Sequence, residues 1–126
     1  VLVLDSGAVT RLSKRTPQAL ALIEAFQAEG LWPPVVPTVV VVESVSGNGG
    51  RDAVANRFLQ ICDIREELPE ALARRAAALR TKARRGSAVD AVVAATAEGG
   101  GTVLTGDPAD LRALAAHAED VAVETV

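Results

Sequence analysis

Four carboxylates interrupt apolar stretches of this chain. Asp5 ends Val1-Leu2-Val3-Leu4, and Glu43 is the only charge between Val35 and Val45. Asp90 lies within Ala88-Val89-Asp90-Ala91-Val92-Val93-Ala94-Ala95, and Asp107 follows Thr102-Val103-Leu104-Thr105-Gly106. Taking an ionised carboxylate out of water is costly, so acids in such surroundings are seldom buried without a partner. Four of them point to one shared pocket with a hard cation as the partner. Oxygen-only ligands favour Mg²⁺ or Mn²⁺ over softer metals. Such an ion polarises a phosphoryl oxygen and acidifies water near neutral pH. The chemistry this predicts is metal-dependent cleavage of nucleic acid.

Each acid also has a plainer reading. Asp5-Ser6-Gly7 has turn chemistry, although the Ser6 hydroxyl is also placed to support a metal ligand at Asp5. Glu43 is equally compatible with a solvated side chain. Ser87-Ala88-Val89-Asp90 matches the capping-box pattern, in which the acid also meets the helix dipole. Asp107 precedes Pro108 and suits a helix N-cap, with Asp110 at the third helical position. Thr105 brings a hydroxyl to the same turn that can orient a ligand or a water. Capping and metal binding are compatible, and the strength of the signal is joint: all four acids fall at predicted strand ends or helix starts.

The elements that must position these acids alternate between strand and helix. Val1 to Leu4 reads as a short buried strand, followed by a short helix over Ala8 to Ser13. Thr16-Pro17 predicts a capped helix with Leu20, Ile23 and Phe26 at helical spacing, closed by Gly30. Val35-Val36 reads as a strand. Thr38 to Val45 is ambiguous, because four consecutive valines favour a strand while Thr38 suits a helix cap. Gly47-Asn48-Gly49-Gly50 is a turn, and Arg51 to Leu59 a helix with Val54, Phe58 and Leu59 on one face. A strand over Gln60 to Ile64 precedes a long helix from Pro69 to about Arg84. Ser87 opens a helix that is apolar almost all round and ends at Gly99-Gly100-Gly101. Thr102 to Thr105, a helix from Pro108 and a strand over Val121 to Val126 complete the chain. This alternation predicts an α/β fold with a parallel sheet covered on both faces, whose ligands gather at the C-terminal ends of strands.

Composition narrows the function classes. The 126 residues fit a single domain over 1–126. One cysteine, Cys62, excludes an internal disulfide and a Cys-rich zinc site, and it reads as a small core residue. One histidine, His117, excludes a paired-histidine ribonuclease mechanism. A net charge of −3 argues against a general electrostatic grip on nucleic acid. Phe26, Trp32 and Phe58 are the only aromatics, too few for a base-stacking platform. Without a membrane-span or signal-peptide pattern, the expected location is the cytoplasm. The absence of methionine implies a chain that begins just after its true start.

The helix after Pro69 is the basic feature. Arg74, Arg75, Arg80, Lys82, Arg84 and Arg85 surround a stripe of Leu72, Ala76, Leu79 and Ala83. Solvated helix surface is one reading. The other is a phosphate-contacting ridge, with Arg84 and Arg85 as RNA-contact candidates just before the helix that carries Asp90.

Val3-Leu4-Asp5-Ser6-Gly7-Ala8, Glu43-Ser44-Val45-Ser46-Gly47, Asp90-Ala91-Val92-Val93-Ala94-Ala95 and Leu104-Thr105-Gly106-Asp107 together resemble a PIN domain, and most of all VapC-type toxins of bacterial toxin–antitoxin pairs. The resemblance spans essentially the whole chain. It implies a three-layer α/β/α fold around a parallel sheet of four to five strands, with Thr38 to Ser46 helical. It also implies a Mg²⁺- or Mn²⁺-dependent endoribonuclease acting on RNA, a homodimer within a higher toxin–antitoxin assembly, and a cognate VapB-type antitoxin. The family's acidic positions map onto Asp5, Glu43, Asp90 and Asp107, and Asp110 matches a further position that is often acidic. Asp5, Asp90 and Asp107 would hold the metal, with Glu43 binding metal or positioning water. Gly7 departs from the small hydroxyl residue common in that family.

Haloacid-dehalogenase chemistry wants a second aspartate two residues after the first, where this chain has Gly7. A receiver domain wants an adjacent acidic pair and a late strand-end lysine, both absent. The non-enzymatic alternative is an α/β interaction module whose acids only cap helices.

Overall fold

Short apolar strands and amphipathic helices alternate along the chain in a computed structural model covering residues 1–126. Strand β1 (Leu2–Leu4) leads into helices α1 (Ser6–Ser13) and α2 (Pro17–Ala28), then strand β2 (Val35–Pro37). Helices α3 (Thr38–Ser44) and α4 (Ala53–Leu59) precede strand β3 (Asp63–Arg65). Helices α5 (Glu70–Ala83) and α6 (Ala88–Ala97), strand β4 (Thr102–Thr105), helix α7 (Pro108–Ala115) and strand β5 (Ala122–Thr125) follow.

All five strands are parallel, in the order β3-β2-β1-β4-β5. The expected α/β class and parallel sheet are therefore what the chain forms. The chain builds outward from β1 through β2 to β3, then returns to the other side of β1 for β4 and β5. Right-handed crossovers consequently send the helices before β3 to one face and those after it to the other. The packing agrees, because α1 contacts α2, α3 and α4, while α5, α6 and α7 contact one another. Leu2, Val3, Leu4, Val103 and Leu104 are fully buried, as central parallel strands covered on both faces require. No helix is long and apolar enough to cross a membrane.

The reversal of direction falls between β1 and β4, paired Leu4 to Leu104. The switch-point crevice therefore opens at Asp5 on one side and at Thr105 to Asp107 on the other.

The valine run resolves as helix α3. Strand β2 has neighbours only over its three residues, from Val35 beside Asp63 to Pro37 beside Arg65. An extended chain beyond Pro37 would leave the sheet with unpaired backbone groups, whereas a helix satisfies its own. Tertiary context thus overrides valine propensity. Pro37, not Thr38, is the N-cap, and it supplies no side-chain hydrogen bond.

Two further expectations change. Helix α4 begins at Ala53, and Val54 is half exposed while Phe58 and Leu59 are buried, because its first turn overhangs an open cleft. The third strand lies at Asp63–Arg65, later than expected, since Ile61 and Cys62 still close the turn after α4 by donating to Phe58 and Leu59 carbonyls. The remaining caps follow the sequence. Thr16 caps α2 at Ala19 N, and α5 carries Ala76 and Leu79 into the core. Cys62 is half-buried, and burial pushes its thiol up to about 12, which leaves it unreactive near neutral pH.

The hand-off from α6 to β4 is tight. Gly101 is buried, its N–H donates to the Ala97 carbonyl at 2.8 Å, and a Cβ there would sit 2.5 Å from that oxygen. Gly101→Ala should destabilise by about 1–3 kcal/mol through overpacking. A Cβ at Gly49 meets nothing, and Gly49→Ala should change stability by no more than about 0.5 kcal/mol. Urea unfolding of the two variants checks the contrast.

Candidate functional site

Asp5 anchors the crevice. It is buried at the end of β1 and acts as the N-cap of α1, where Oδ1 accepts from Ala8 N at 2.8 Å. The same oxygen accepts from Gly106 N at 3.3 Å, and Oδ2 accepts from the Thr105 hydroxyl. One carboxylate therefore joins β1, α1 and the turn after β4. Thr105 is fully buried, and its Oγ1 also accepts from Asp107 N at 2.8 Å. The Thr105 hydroxyl thus orients the Asp5 carboxylate and ties it to the turn.

Gly7 has a physical reason here. A Cβ on Gly7 would lie 3.0 Å from the Gly106 Cα, and one on Gly106 would lie 3.1 Å from the Gly7 Cα. The turns after β1 and β4 meet backbone to backbone.

Asp90 enters the same crevice from the start of α6. It forms the expected capping box: Asp90 N donates to Ser87 Oγ at 3.0 Å, and Asp90 Oδ2 accepts from Ser87 N at 3.2 Å. Its carboxyl is held above the usual carboxylate range, first by burial and then by the negative charges of Asp5 and Asp110, against the opposing Ser87 hydrogen bonds. Asp5 and Asp110 are the acids whose charges bear on Asp90.

Asp107 and Asp110 exchange emphasis relative to the sequence reading. Asp107 occupies the N-cap position of α7 but makes no capping hydrogen bond and is exposed. Its backbone φ of −133° and ψ of 89° leave the expected side-chain cap unformed. Asp110, one turn into α7, is half-buried beside Asp90 and accepts from Arg85 Nε at 2.7 Å.

Glu43 is exposed near the end of α3 and lines a cleft with Thr10, Ser13, Lys14 and Asp52, beside the C-terminal half of α1. Ser6 is the first residue of α1, and its hydroxyl takes no part in the hydrogen bonds to Asp5.

The basic helix is largely spoken for. Arg74 pairs with Glu70, and Arg80 donates to the Gly86 carbonyl. Arg75 makes a bidentate pair with Glu98, with both N–H···O distances 2.8 Å. Arg84 is exposed in the left-handed region at φ 56°, and Arg85 is tied to Asp110.

Asp52 is the acid that sequence reasoning missed. It is buried and accepts from Ser46 N, Ser46 Oγ and Gly47 N at 2.9–3.0 Å, which holds the Gly47–Gly50 turn. The Ser46 backbone N–H is the main cause that holds its carboxyl below the usual range. Its only sequence signal is an acid just after a glycine turn.

The donor set at the crevice is oxygen-only, which suits a hard cation. Asp90 has one carboxylate oxygen outside its capping bond, and Asp107 has no capping bond at all. No three His, Cys, Asp or Glu side chains converge as a ready-made cage. The arrangement therefore fits a hydrated ion held by one or two carboxylates, the usual protein coordination of Mg²⁺. A scan against protein-family models finds none that matches this chain, and a search of curated proteins finds no match.

Two titrations follow. Asp90 has a raised folded pKa, so the stability linked to its protonation is present below the unfolded pKa and is lost as pH rises through the folded value. In metal-free buffer, Asp90→Asn should raise the Tm at pH 7, and the gain should shrink as pH falls toward 4. Asp52 runs the other way: its stabilisation is present above the unfolded pKa and is lost as pH falls through the depressed folded pKa. Asp52→Asn should lower the Tm at pH 7, with a difference that narrows in acid. Thermal scans of both variants across pH check the opposite signs.

Proposed function

We propose that this chain is a Mg²⁺- or Mn²⁺-dependent endoribonuclease of the PIN type, the toxin of a VapBC-like pair. The observation that carries the reading is the placing of Asp5, Asp90 and Asp107 at the starts of α1, α6 and α7, with Asp90 held above the usual carboxylate range first by burial and then by the charges of Asp5 and Asp110. A cation is the simplest relief for that repulsion. Bound there, Mg²⁺ or Mn²⁺ supplies a Lewis acid for a phosphoryl oxygen and acidifies water.

The chain's own residues divide the remaining work. Asp90 and Asp107 offer carboxylate oxygens that capping does not consume. Asp5 holds the crevice together through its hydrogen bonds to α1 and to the turn after β4. The N-termini of α1, α6 and α7 start beside these acids, and their N–H dipoles favour the negative phosphodiester. Glu43 lines the cleft beside α1, and its role in binding metal or positioning water rests on the sequence resemblance; the exposed Arg84 precedes α6. An RNA substrate, a VapB-type antitoxin, a homodimer and a cytoplasmic toxin–antitoxin assembly go with this reading and rest on the sequence resemblance.

A second reading has its own observation: Asp5 and Asp90 do cap α1 and α6. On that reading the protein is a non-catalytic interaction module.

A panel of purified cellular RNAs, incubated with the antitoxin-free protein and Mn²⁺ or Mg²⁺, separates the two. The nuclease reading expects discrete cuts abolished by EDTA and reduced about a hundredfold or more in Asp90→Asn. It also expects Mn²⁺ to raise the Tm by binding the folded state. Intact RNA together with an unmoved Tm favours the interaction module.

A further inference from the structure

Arg85 occupies an unusual backbone setting. It is flanked by Arg84 at φ 56° and Gly86 at φ 91°, two left-handed residues that turn the chain sharply between α5 and α6. The connection is tied on both sides. Arg84 N donates to the Arg80 carbonyl, Arg80 Nε donates to the Gly86 carbonyl, and the Ser87–Asp90 box opens α6. A Cβ on Gly86 would lie 2.8 Å from Leu114 Cδ1, so the turn is also pressed onto α7. This rigid turn delivers the Arg85 guanidinium to Asp110, with Nε 2.7 Å from Oδ1.

Asp110 is the only member of the acidic group with a cationic partner. Its side chain is 30% exposed and that of Arg85 is 55% exposed. The charge of Asp110 also reaches Asp90. Asp5 is held instead by neutral donors, and Asp90 by Ser87. The single cation at the crevice is therefore supplied by the chain itself.

We infer that Arg85 is a built-in counter-ion of the acidic crevice, which holds Asp110 and competes with a divalent cation for the negative charge there. The inference rests on the metal-site reading above. On this account Arg85 is a positioning residue: it acts through Asp110 and sets how much free cation is needed to fill the site. A guanidinium suits the task because it stays charged at any physiological pH, so the competition is constant. Exposure of Arg85 keeps the pair weak enough to open when a divalent ion arrives.

Isothermal titration of MnCl₂ into the antitoxin-free protein tests this, with circular dichroism confirming the fold of each variant. Arg85→Gln should tighten Mn²⁺ binding about two- to fivefold, the scale of one exposed ion pair. Arg74→Gln removes the same charge from a pair with Glu70 and should leave Mn²⁺ affinity unchanged. In an Asp110→Asn background the Arg85→Gln gain should vanish. Binding by Arg85→Gln alone, with none by the parent, also supports the inference. Unchanged or weaker binding by Arg85→Gln overturns it while leaving the metal site standing, as does an equal gain in the Asp110→Asn background. Absence of Mn²⁺ binding in every variant overturns both the inference and the metal-site reading.

Discussion

The structure depends on one buried carboxylate that serves three elements at once. Asp5 completes β1, caps α1 and accepts from both Thr105 and Gly106 at the end of β4. A buried ionised group is tolerable only when its lone pairs are occupied by donors, and the charge strengthens each of those hydrogen bonds. The donors come from segments 100 residues apart in the chain, so the crevice forms only once the sheet is complete. Local folding makes β1 and α1; the site needs the crossover.

Electrostatics around that anchor is deliberately unbalanced. Helices α1, α6 and α7 begin at the crevice, and their dipoles partly offset the acids gathered there. The offset is incomplete: burial first, and the charges of Asp5 and Asp110 after it, hold the Asp90 carboxyl above its usual range. Elsewhere the chain balances its charges closely. Glu98, nearly buried, meets Arg75 in a two-pronged pair and also accepts from Glu119 N, which pulls its carboxyl below the usual range. A satisfied pair thus stands at one end of α6 and a carboxyl held above its usual range at the other.

Much of this was legible in the sequence, for local reasons. Thr16-Pro17 and Ser87-x-x-Asp90 cap helices within four residues, so their chemistry is visible in the string. The alternation of apolar strands with helices was enough for the parallel α/β class. What failed to show depends on distant partners. The valines of α3 carry strand propensity, and only the three-residue reach of β2 makes them helical. Asp107 and Asp110 are separated by less than a helical turn, and side-chain direction decides which of them faces Asp90. The pairing of Arg85 with Asp110 bridges 25 residues that no local motif connects.

The contact between Gly7 and Gly106 bears on how such a crevice can change over evolutionary time. At that point main chain meets main chain, and the Asp5 carboxylate bridges the same two turns beside it. Substitutions around the rim can retune charge, cation preference or access without disturbing that contact. The two glycines and the buried Asp5–Thr105 pair fix it, while exposed rim positions such as Asp107 and Arg84 carry no such constraint. A fold arranged in this way can exchange the chemistry at its mouth while the geometry beneath remains the same.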